Sequence, residues 1–231
     1  MARDTRDGSN VLPSDGLSLS KTPYKTLRGE GAAEYEEKRS RFIGEARPAA
    51  CEGEALAFLE EARRRHKDVS HNVYAYLCGE GGLCKRYSDG GEPRGTAGVP
   101  VLDVIEKAGL RDAVIVVTRY FGGILLGAAG LIRSYGKAAS LAVNAAGVVI
   151  KSPAYLMSVL VGYAAYDSVR NMLDKGGFSV TRADYGADIE MNVIVPYDEA
   201  GALRARVTEL TAGAAVIECI DDIFIDASAQ F

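Results

Sequence analysis

The chain has 231 residues, of which 48% are apolar and 25% charged, an ordinary globular composition with length for one large domain or two ordinary ones. Its 4 cysteines make no disulfide framework in a chain this long. No h-region follows Met1 and no apolar run approaches the ~18 residues of a membrane span, so a reduced, cytoplasmic protein with no membrane contact is expected.

Residues 1–20 are polar and aperiodic and read as a disordered tail. From Tyr24 the chain reads as two strands, the first ending near Gly29–Gly31 and the second spanning Ser40–Ala46. Cys51–Lys67 reads as a helix whose apolar face is Leu56, Leu59 and Ala62 with Ala55 and Phe58. Asn72–Cys78 is a strand, and Leu83–Tyr87 pairs back on it as a hairpin. A glycine-rich loop, Ser88–Gly98, leads to a helix from Pro100 that stops before Gly109. Ala113–Thr118, AVIVVT, is a β-branched run without alternation, as expected of a strand covered on both faces. A second glycine-rich loop follows, then a helix over about 128–146 with Leu131, Tyr135, Ala138, Ala142 and Ala145 on one stripe.

Lys151-Ser152-Pro153 reads as a domain boundary. Beyond it the pattern is strand, helix, two strands, helix, strand, which is the ferredoxin-like βαββαβ arrangement. The expected division is therefore a tail at 1–20, a first domain at 21–150 and a second at 153–231. Residues 1–152 hold 22 Lys/Arg against 19 Asp/Glu, and residues 153–231 hold 5 against 12. The second domain is thus the acidic one, suited to docking a basic protein, and an anion site belongs in the first.

The stretch Tyr87–Gly136 holds the candidate site, because its polar residues cluster in the two glycine loops around one buried strand. In the first loop, Asp89, Glu92, Arg94, Gly95, Thr96 and Gly98 can form a partner site, with the amides of Gly95–Gly98 facing an anion ahead of a helix. The structural alternative is a tight turn in which Asp89 caps amides and Glu92 pairs with Arg94 or Arg119. In the second, Arg119 stands beside Tyr120 and Phe121, followed by Gly122 and Gly123. A cation next to aromatics suits single-stranded nucleic acid. Arg133 and Lys137 share a helix face downstream. The alternative puts Tyr120 and Phe121 in the core.

His71 precedes a strand and is a candidate acid or base, or a hydrogen-bonded structural histidine. His66, His71, Cys78 and Cys84 have spacings that match no familiar zinc site, so no metal and no cofactor is expected. No Walker loop, dinucleotide fingerprint or nucleophile elbow is present, and the basic run Arg63–Lys67 reads as a solvated helix end or a phosphate contact.

The blocks YSDGGEPRGTAGVPVL and VVTRYFGGILLGAAGLIRSYG, with Lys38-Arg39-Ser40-Arg41-Phe42-Ile43 and His71-Asn72-Val73-Tyr74-Ala75-Tyr76, closely resemble the signature of the YigZ/Impact family. The resemblance implies an α/β (α+β) protein: a ribosomal protein S5 domain 2-like first domain, then a ferredoxin-like domain similar to one of elongation factor G. It also implies a link to translation. The chain departs from the family pattern at Gly90, where a second aspartate is usual, at Leu125, where a lysine is usual, and at Ala129, where a glycine is usual. The expectation is a non-enzymatic binding protein that contacts RNA, the ribosome or a translation factor through the 87–136 face. The competing expectation is an enzyme acting on a phosphorylated small molecule or nucleotide at Gly95–Gly98.

Overall fold

Hydrophobic run, turn and cap signals resolve into ten strands and five helices among the described residues, 22–67 and 71–227, of a computed structural model. The expected tail at 1–20 lies outside them. The strands are β1 (Tyr24–Leu27), β2 (Gly31–Glu37), β3 (Ser40–Pro48), β4 (His71–Cys78), β5 (Cys84–Ser88), β6 (Ala113–Tyr120), β7 (Val148–Val161), β8 (Ser179–Tyr185), β9 (Ile189–Pro196) and β10 (Val216–Asp226). The helices are α1 (Glu52–Arg65), α2 (Gly98–Lys107), α3 (Gly127–Ala146), α4 (Tyr163–Lys175) and α5 (Ala200–Leu210).

The first sheet has the order β2-β3-β6-β4-β5, and its ladders are antiparallel. Strand β6 is central, which is why AVIVVT shows no alternation: both of its faces are covered. Ala113, Ile115 and Val117 pack with Phe42, Val101, Ile105, Leu131 and Tyr135. Val114 and Val116 pack on the other side with Phe58, Leu59, Ala62 and Tyr76. Thus α2 and α3 cover one face and α1 the other. Each such large apolar side chain contributes about 1.5–3 kcal/mol on full burial.

The second sheet runs β10-β7-β9-β8, with the core residues Met157, Val159, Met191 and Val193 packed against Val169, Leu173, Leu203 and Val207 of α4 and α5. This is the ferredoxin-like order, so the two-domain α+β architecture expected from the sequence is the one observed.

Four local readings are corrected. The segment between the first two expected strands is itself a strand, β2, because Lys38 and Arg39 both take positive φ and close a tight hairpin with β3. Leu56 is 42% exposed and lies off the buried face of α1, which is Ala55, Phe58, Leu59 and Ala62. Strand β6 continues through Arg119 and Tyr120, which the sequence had placed in a loop. Finally, Lys151-Ser152-Pro153 is no break: β7 runs through it, and Lys151 pairs with Tyr24 of β1 and with Asp226 of β10. The proline interrupts nothing because the rest of β7 is pinned by neighbours on both edges. Strand β1, expected to belong with the first domain, therefore completes the second sheet. It also bridges to the first domain, where the Arg111 amide donates to the Lys25 carbonyl at 2.8 Å.

Candidate functional site

Period-2 alternation decides the geometry of the site. On β6, Arg119 follows Ile115 and Val117 onto the α2/α3 side, and Tyr120 follows Val114 and Val116 onto the α1 side. The two do not form one cation–aromatic platform. Tyr120 instead meets His66 at the end of α1, with 3.0 Å between its hydroxyl and Nδ1, while Arg41 lies over its ring.

Arg119 is 5% exposed. Its Nη1 donates to Glu92 Oε1 at 2.7 Å, and Nη2 donates to Ser40 Oγ at 3.3 Å. The guanidinium also lies over the rings of Phe42 and Phe121. Glu92 Oε1 accepts a second bond, from the Tyr135 hydroxyl, at 2.8 Å. Burial, and then the Glu92 charge, push the Tyr135 phenol well above its ordinary range. Ser40 Oγ in turn accepts from the Gly122 amide at 3.2 Å. One buried network thus ties the first loop to β6, α3, the start of β3 and the second loop. Gly122 is required there: a Cβ would stand 2.0 Å from the Arg39 carbonyl carbon.

The amides of the first loop are occupied from within. Asp89 Oδ2 accepts from Gly95 N at 2.9 Å, and Oδ1 accepts from Ala97 N at 3.1 Å and Gly98 N at 2.8 Å. Desolvation raises the Asp89 carboxyl, but the Gly95, Gly98 and Ala97 amides, with Arg94 nearby, hold it below the usual carboxylate range. Asp89 is the anion that this helix start receives. Thr96 closes the turn by donating to the Pro93 carbonyl at 2.6 Å. His71 Nδ1 lies 3.0 Å from the Gly90 carbonyl, which only accepts, so Nδ1 carries the proton and the ring holds the loop. Gly90 itself has φ 57 with its missing Cβ aimed at the Asn72 carbonyl, the local reason a larger residue is not accommodated without a shift.

The structure therefore gathers Asp89, Glu92, Gly95, Thr96, Gly98, His71, Arg119, Gly122 and Tyr135 into one partly buried clasp, and separates Tyr120 from it. Arg119, expected on a binding surface, is an internal strut. Arg94 and Arg133 are exposed and form no salt bridge among the described residues, and Gly123 is exposed too. The residues that sequence reasoning did not assign are Ser40, the second-loop anchor, and the exposed aliphatic residues Ile124 (40%), Leu125 (83%) and Ile132 (44%), to which Phe121 (52%) adds an exposed ring. Ser40 lies in a block already notable in the sequence. Of the two readings of Phe121, stacking ring or core residue, the core one fails: its place past the end of β6 leaves it half out of the sheet.

An α+β first domain with two clasped glycine loops, joined to a ferredoxin-like second domain, is the class of protein that the fold and the site define. Residues 38–143 match the Impact N-terminal domain and residues 159–214 a domain of unknown function (DUF1949). The IMPACT family member YvyE of Bacillus subtilis is 38% identical over 190 residues, covering 82% of this chain and 88% of the relative. The IMPACT family member YigZ of Escherichia coli is 29% identical over 187 residues, covering 80% and 92% respectively. A crystal structure of a hypothetical protein superposes with a TM-score of 0.58 at 27% identity, covering 87% of this chain and 98% of that one. The chain belongs to the IMPACT family.

Proposed function

We propose that the protein is a translation-associated regulatory protein that binds RNA, on the ribosome or with a translation factor, through the 87–136 face. One observation carries the reading: the polar groups fit for chemistry are consumed internally, while cations and aromatics remain outside. Glu92 is held by Arg119 and Tyr135, and Asp89 by three amides. Arg94 and Arg133 are exposed, as are Tyr87 (49%) and Phe121 (52%). Exposed cations near exposed rings are what single-stranded RNA uses, through phosphate contacts and base stacking. The enzyme reading fares worse, because a phosphate at Gly95–Gly98 has to displace Asp89 from its amides.

Fluorescence anisotropy of a mixed-sequence single-stranded RNA, titrated with protein from low to physiological salt, tests this. The expected result is binding that weakens log-linearly with salt, with Arg94→Ala and Arg133→Ala each lowering the slope by about 1. No binding at low salt, or binding indifferent to both substitutions and to Phe121→Ser, overturns it. A specific observation also favours a second reading, a protein partner: Ile124 and Leu125 of the second loop and Ile132 of α3 are exposed aliphatic side chains that phosphates and bases do not need.

A further inference from the structure

Three cysteines converge at one corner of the first sheet. Cys51 precedes α1, Cys78 ends β4 and Cys84 opens β5. The Gly79 amide donates to the Ala50 carbonyl at 3.0 Å, which brings the chain before Cys51 to the end of β4. Cys78 and Cys84 stand directly opposite each other in the β4–β5 ladder. Opposed residues of an antiparallel pair have Cα atoms about 4.5–5.5 Å apart, inside the ~4.4–6.8 Å window of a disulfide. Both are free thiols; Cys84 is partly exposed and Cys78 is buried.

We propose that Cys78 and Cys84 form a dithiol modification site that small disulfides of the glutathione class oxidise to an intrachain disulfide. Accessibility fixes the order of events. The Cys84 thiolate attacks one sulfur of the small disulfide, forming a mixed disulfide and releasing one glutathione thiolate, which takes up the Cys84 proton. The Cys78 sulfur then attacks the Cys84 sulfur and displaces the second glutathione, which leaves with the Cys78 proton. Two protein thiols are oxidised and one small disulfide is reduced to two thiols. Cys78 does not initiate, since it is buried away from a soluble disulfide and burial, then the neighbouring Cys84, push its thiol up. Once Cys84 is in the mixed disulfide its charge no longer opposes the Cys78 thiolate, and the opposed Cys84 sulfur is within its reach. Strand β5 runs from Cys84 to Ser88, so the site lies at the end of the β4–β5 ladder opposite the first glycine loop.

The test incubates the folded, full-length protein with oxidised glutathione and follows it by intact mass and non-reducing peptide mapping. The expected product has lost two hydrogens and yields a linked Cys78–Cys84 peptide. Cys84→Ser abolishes the linkage, and Cys78→Ala stops the reaction at a glutathione adduct on Cys84. Cys219, on β10, serves as an internal control. A lasting adduct on Cys84 in the unsubstituted protein, a disulfide through Cys51, or no reaction overturns the assignment. Should Cys78→Ala not fold, the unsubstituted map and Cys84→Ser decide alone.

Discussion

The first glycine loop turns its two carboxylates inward, and the second turns its apolar side chains outward. Asp89 and Glu92 of the first have side chains saturated by amides, Arg119 and Tyr135. Phe121, Ile124 and Leu125 of the second are 52%, 40% and 83% exposed, and the loop is anchored at Gly122 by Ser40. Glycine content is the same signal in both, yet one loop is a structural clasp and the other a presented surface. A carboxylate in a loop does not mark chemistry until its partners are counted.

The sharpest way to break this contrast is at Arg119. Arg119→Met leaves Glu92 buried with its main counter-charge gone, since the side chains are only 6% and 4% exposed. The expected cost is about 3–5 kcal/mol, read from the midpoint of urea unfolding. Loss of less than about 1 kcal/mol would show that the network is not holding the loops. Arg119→Met with Glu92→Gln should recover part of the loss, because no unpaired charge remains.

Asp89→Ala is next, at about 2–3 kcal/mol, because three amides lose their acceptor. This site also has a pH signature. The folded Asp89 carboxyl lies below its ordinary value. Its contribution is therefore fully present above the unfolded pKa, near 3.9, and is lost as pH falls through the folded value. Below about pH 4 the unsubstituted protein should lose stability faster than Asp89→Asn, whose amide oxygen does not titrate; parallel curves would remove Asp89 from the clasp. Gly122→Ala ranks third, at about 1–3 kcal/mol, because its Cβ meets the Arg39 carbonyl and the loop must shift.

How much of this was legible in the sequence follows from what each signal encodes. The buried strand, the helix at 127–146 and the βαββαβ order were legible, because run length, apolar stripe and glycine stops encode them locally. The pairing of Glu92 with Arg119 was one of two open alternatives, and proximity in sequence would have favoured Arg94. The choice is made by the β3–β6 ladder, which sets Arg119 opposite Phe42 and close to Ser40, information that no local window contains. Burial of Arg119 was missed for a related reason. A charged residue at the end of an apolar strand looks like the start of a loop, and only the buried carboxylate across from it lets the strand continue. The capture of β1 by β7 was illegible too, since four residues carry no preference for one sheet over another.

The smallest stability effect and the most informative binding effect belong to the second loop. Leu125 is 83% exposed, so Leu125→Lys removes no buried contact. Its unfolding midpoint should stay within about 0.5 kcal/mol of the unsubstituted protein. The binding outcome separates the two partner classes. If the face takes RNA, an added cation on the second loop strengthens low-salt anisotropy binding and steepens its salt dependence by about one phosphate. If these exposed aliphatic side chains seat a protein, the same substitution leaves RNA titrations unchanged and weakens the protein complex, because a charge enters an apolar contact. Phe121→Ser weakens binding in both cases, through lost stacking in one and lost apolar area in the other, so Leu125 is the position that tells them apart.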